Sequence, residues 1–87
     1  METTEEKEEQ ILIRITGQDR PGLTASIMEI LARHNAHILD IGQADIHSTL
    51  SLGILIRIGD MHSGQVMKEL LFKAEELNVN IGFLPVS

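Results

Sequence analysis

The chain has 87 residues, no cysteine, no Trp or Tyr, and a formal charge of −6 at pH 7. That length holds one domain and not two, and the missing cysteines exclude both a disulfide framework and a thiolate metal site. Seven scattered bases and two Phe leave neither a basic patch nor a stacking platform, which argues against nucleic acid as a partner.

Most of the charge lies at the start, where Glu2, Glu5, Glu6, Glu8 and Glu9 face only Lys7. Residues 1–9 therefore read as a disordered acidic leader. They lack the basic start and apolar run of a secretory signal, and no later stretch reaches the roughly 18–20 apolar residues of a bilayer span. A cytoplasmic location is the expectation.

The domain is expected over 10–84. From Glu9 to Gly17, Ile11, Ile13 and Ile15 alternate with Leu12, Arg14 and Thr16, the period of a strand. Gly17-Gln18-Asp19-Arg20-Pro21-Gly22 breaks it with turn chemistry. A helix follows, with Pro21 suited to its first position. Its inner face is Leu23, Ile27, Ile30, Leu31 and His34, and Asn35 is its expected stop. Residues 37–47 and 50–58 read as an antiparallel hairpin closed at His47-Ser48-Thr49. A second helix is expected over 64–77 with Ser63 as N-cap. Its inner stripe is Val66, Leu70, Ala74 and Leu77, widened by Met67 and Leu71, with Asn78 as the stop. Val79, Ile81 and Phe83 make a last strand, and 85–87 would begin a linker to a downstream segment.

The order β-α-β-β-α-β gives an α+β fold, the ferredoxin-like βαββαβ sandwich. Its four-stranded antiparallel sheet carries two helices on one face. The second face should be polar if it met only water. Leu12, Leu39, Ile41 and Leu55 are expected there, among Arg14 and Arg57, so another surface is expected to cover it.

Chemistry is sparse. The turn from Gly17 to Leu23 combines glycines, which allow close backbone approach, with helix N–H groups from about Gly22 to Ala25, which favour an anion. Asp19 would accept from an ammonium, so the turn suits a zwitterion such as an amino acid, although a plain capped turn explains the same residues. His34, His37, His47 and His62 show no spacing that would make them converge on a metal. No nucleophile elbow or Walker loop is present. Asp40 and Asp45 differ in strand parity and should face opposite ways.

At Gly17-Gln18-Asp19-Arg20-Pro21-Gly22-Leu23 and Asn35-Ala36-His37-Ile38 the chain resembles the ACT family. That resemblance implies domains paired side by side through their sheets, as a homodimer or with a second ACT segment, and a small effector, commonly an amino acid, at the junction. It implies effector contacts at Asp19, Gly22, Leu23 and His37, the last a departure from the Asn common in effector-binding members.

Ile38-Leu39-Asp40-Ile41-Gly42-Gln43-Ala44, Leu50-Ser51-Leu52-Gly53-Ile54-Leu55 and Leu70-Leu71-Phe72-Lys73-Ala74 resemble the amino-terminal ACT domain of bacterial phosphoserine phosphatases. That implies L-serine or a similar amino acid as effector. It also implies an Mg-dependent, haloacid-dehalogenase-type parent enzyme of serine biosynthesis. The D-x-D-x-[TV] nucleophile motif of that class is absent from these 87 residues, so no enzyme activity and no cofactor are expected of the chain itself. The alternatives are an assembly module without a ligand, or an ACT domain of another parent, an alarmone synthetase or a transcriptional regulator.

Overall fold

A computed structural model describes residues 7–86. The branched residues of the first strand put Ile11, Ile13 and Ile15 on one face of β1 (Glu8–Gln18), all buried. β1 is followed by α1 (Leu23–Arg33), β2 (His37–Ile46), β3 (Thr49–Gly59), α2 (Asp60–Leu77) and β4 (Asn80–Pro85). The strands form one antiparallel sheet in the order β2-β3-β1-β4, the ferredoxin-like arrangement expected from the element order.

Both helices cover one face. Leu23, Ile27, Ile30 and Leu31 of α1 and Val66 and Leu70 of α2 pack against the inward residues of β1 and the alternating Leu50, Leu52, Ile54, Ile56 and Ile58 of β3. Each such side chain removed from water stabilises the fold by about 1.5–3 kcal/mol. β2 contributes nothing to this core and is exposed along its whole length.

Several boundaries differ from those expected. β1 begins at Glu8, because Glu8 and Glu9 pair with Gly59 and Ile58 at the end of β3. The rest of the acidic leader, 1–6, lies outside the described residues, as does Ser87. Pro85 is still in β4, and the next N–H, that of Val86, donates to the Gln10 carbonyl at 2.9 Å. Pro21 is not the first helical residue. Gly22 holds the N-cap with φ 85°, a left-handed conformation that glycine adopts without penalty.

Ser63 is not an N-cap either. α2 starts at Asp60, whose N–H donates to the Lys7 carbonyl at 2.7 Å. Ser63 is buried, and its hydroxyl donates to Glu9 Oε2 at 2.6 Å, tying α2 to β1. Leu71 does not widen the inner stripe but stands exposed. Asn35 and Asn78 follow the helices in left-handed conformations, φ 57° and 60°, as helix stops do.

One irregularity re-sorts the sheet faces. Ile38 sits opposite Ile56 but Asp40 sits opposite Leu55, so Leu39 is an extra residue in β2. Every later residue changes face. Ile41, expected on the outer face, pairs with buried Ile54 and so shares the helix side. Asp40 and Asp45 still face opposite ways, opposite Leu55 and Leu50 respectively.

Candidate effector site

The loop after β1 is held by its neighbour. Because β1 and β3 are antiparallel, the residue after Gln18 meets the residue before Thr49. The Asp19 N–H accordingly donates to the Ser48 carbonyl at 2.9 Å. His47 and Ser48 take φ 51° and 67°, which folds the β2–β3 turn back over this loop.

The result is an open cavity of about 560 Å³ lined by Asp19, Arg20, Pro21, Asp45 and Ser48. Asp19 and Asp45 are hydrogen-bonded there. That bond, more than partial desolvation or the charge of Asp45, holds the Asp19 carboxyl above its ordinary range. Asp45 is pushed below its own, first by Asp19 and then by Gln43, whose amide donates to Asp45 Oδ1 at 3.0 Å. An ammonium group entering between the two carboxyls would find an acceptor on either side.

α1 starts two residues beyond Pro21, where the lining of this cavity by the loop ends. No side chain caps it and no acid occupies its first turn. The Leu23 N–H lies 3.2 Å from the Arg20 carbonyl, a weak bond, and the Ser26 N–H closes on Gly22 at 2.9 Å. The Leu23 side chain is buried in the core, so only its backbone could serve a ligand.

Of the expected contacts Asp19 lines this cavity, while Gly22 and Leu23 follow it in the chain without lining it. His37 does not join them. It pairs with Arg57, eight residues along β3 from Thr49, which is about 26 Å of strand. Asp45, Ser48 and Gln43 are the neighbours that sequence reading missed. Their signal was the antiparallel pairing of the first and third strands, which brings the hairpin turn to the loop.

A model of the ACT domain matches residues 9–84. The chain belongs to the ACT domain family. A UPF0237 protein of Methanopyrus kandleri is 35% identical over 72 residues, 80% of this chain and 80% of its own length. A phosphoserine phosphatase of Mycobacterium tuberculosis is 41% identical over 46 residues, 53% of this chain but 11% of the enzyme. Among solved structures, a putative glycine cleavage system transcriptional repressor superposes with a TM-score of 0.87 at 19% identity, over 92% of this chain and 47% of that one. At that identity the likeness is one of fold.

Among the described residues, no helix is long and apolar enough to cross a membrane.

Proposed function

We propose that the domain binds a small amino acid, L-serine or a close relative, and works as one of a pair of ACT segments. The observation that carries this is the loop cavity. It presents Asp19 and Asp45 to an ammonium, and the uncapped start of α1, two residues past the lining Pro21, offers backbone donors to a carboxylate.

Pairing supplies what one chain lacks. β2 is an edge strand with no strand on its outer side among the described residues, and Ile38, Ile41 and Ile46 on it are 44%, 46% and 68% exposed. Two β2 edges joined antiparallel about a two-fold axis bring His37 of one copy toward Ile46 and the loop cavity of the other. The effector contacts then lie across the pair. Effector binding biases the paired arrangement only by the difference in its affinity for the two states.

Paired nitrogen–proton NMR spectra, with and without excess L-serine, test the reading. Shifts centred on Asp19, Gly22, Leu23 and His37 are expected. A paired protein whose spectrum ignores serine and related amino acids would sink the effector assignment and leave an assembly module.

A second reading places the domain in a cytoplasmic phosphoserine phosphatase of serine biosynthesis, a Mg-dependent hydrolase under allosteric control. The 46-residue match to the mycobacterial enzyme supports it. The longer gene product should then hydrolyse phosphoserine, with serine altering the rate. Absence of that activity would remove this parent while leaving the effector site standing.

A further inference from the structure

The outer face of the sheet carries two adjacent cross-strand rows. One is Gly42, Gly53, Arg14 and Gly82, taken from β2 through β3 and β1 to β4. The next is Asp40, Leu55, Leu12 and Leu84. Three of the four residues in the first row have no side chain, and three of the four in the second are leucines. A trough therefore runs beside a ridge, two residues or about 7 Å away along the strands.

Among the described residues nothing requires those glycines. A Cβ at Gly42, Gly53 or Gly82 would meet no atom within 4 Å, and none of the three has a left-handed φ. Gly17 shows the contrast: a Cβ there would lie 2.8 Å from Val79 Cγ1. Glycine inside a strand costs about 0.5–1 kcal/mol relative to Ala, and often marks close approach by another group. Three in one row, with open space above each, keep the floor low for something outside the chain.

We infer that a second copy of this chain packs on this face, sheet against sheet, with the leucine ridge of each copy seated in the glycine trough of the other. The pattern is self-complementary. A two-fold axis running between the rows, across the strands, exchanges ridge and trough and sets Leu55 over Gly53, Leu84 over Gly82 and Leu12 over Arg14, whose side chain must turn aside. Among the described residues Arg14 has no acidic partner and Asp40 has no cation; the Asp40 carboxylate accepts only from the Ile41 N–H, at 2.9 Å. The axis brings Asp40 of one copy over the row of Arg14 of the other, two strands or about 10 Å to the side and one sheet spacing, about 10 Å, above, so that Arg14 turned aside from Leu12 extends toward that carboxylate. The open space lined by Leu12, Gly42, Gly53, Leu55 and Val86, with Asp40 and Ile41 at its β2 side, about 350 Å³, is what the partner's ridge would fill. This interface differs from the β2 edge and does not depend on effector binding.

The native chain has no cysteine, so introduced thiols report cleanly. Chains carrying Gly53→Cys are mixed with chains carrying Leu55→Cys and oxidised mildly. The mixed disulfide should exceed either self-disulfide, read by mass spectrometry. Gly53→Arg should halve the assembly mass in analytical ultracentrifugation while circular dichroism stays native. Ile38→Lys, which charges the β2 edge away from that open space, should leave the mixed disulfide in place. No preference for the mixed disulfide, an unchanged mass for Gly53→Arg, or a monomeric wild type at millimolar concentration would each overturn the interface. Loss of the cross-link in Ile38→Lys would move the pairing to the edge and overturn it too.

Discussion

Ile54 and Leu55 are consecutive on β3 and point to opposite faces of one sheet, yet their surroundings have little in common. Ile54 is wholly buried beneath the helices, whereas Leu55 is half-buried on a face that no described element covers. The faces differ in composition, the outer one setting Arg14, Thr16, Ser51 and Arg57 among Leu12, Leu55 and Leu84. They differ also in cover: α1 and α2 supply a lid on one side, and the glycine row lowers the floor on the other. A leucine row on a face without a lid is what a second packing layer would use.

The largest effect that tests this contrast is in the core. Ile54→Ala should cost about 2–5 kcal/mol in urea unfolding, as buried aliphatic truncations do. Leu55→Ala should cost less than half as much at concentrations that keep the chain monomeric. Equal losses would mean that the outer face is already covered within one chain.

Glycine positions give the next effect. Gly17→Ala drives a methyl against Val79 and should destabilise by about 1–3 kcal/mol. Gly53→Ala should instead be neutral or stabilise the monomer by about 0.5–1 kcal/mol. Destabilisation by Gly53→Ala would show that the fold itself needs the trough.

A smaller effect belongs to the helix layer. Glu69 on α2 binds His34 Nε2 at 2.8 Å and Arg33 at 3.1 Å. The hydrogen bond from His34, ahead of the charge of Arg33, holds the Glu69 carboxyl below its ordinary 4.5. A depressed carboxyl stabilises the fold above its unfolded value and loses that contribution as pH falls through the folded one. Glu69→Gln should therefore lower the melting temperature slightly at neutral pH. The gap from wild type should close below pH 4.5. A gap that persists into strong acid would exclude the ion pair as its source.

The smallest and most specific effect concerns the loop. If an ammonium displaces the proton on Asp19, serine affinity should rise with pH above the ordinary Asp value of 3.8 and level off once Asp19 is ionised. Asp45→Asn should move the start of that rise downward by removing the carboxylate to which Asp19 is hydrogen-bonded. Titration calorimetry across acidic pH decides it, and a flat profile would separate the Asp pair from the ligand.

The element order, the alternation of β1 and β3, and the inner faces of both helices were legible because period and punctuation agree at each of them. Ile41 was misplaced because a single extra residue, Leu39, reverses the parity of a strand, and no residue type announces a bulge. Ser63 looked like a cap because its type and the following apolar period fit one. The Glu9 carboxylate across the sheet, which draws its hydroxyl inward, is invisible to local reading. In the site, Asp19 and Gly22 stood out through turn chemistry. Asp45 and Ser48 belong to it through strand pairing alone, and His37 matched a family pattern that one chain does not bring together.

The 2.9 Å bond from the Asp19 N–H to the Ser48 carbonyl makes the β1–α1 loop and the tip of the β2–β3 hairpin one mechanical piece. That tip is also the end of the free edge. Torsion applied to the edge by a neighbouring strand would therefore reach the cavity without crossing the hydrophobic core, and a molecule wedged in the cavity would push back along the same short lever.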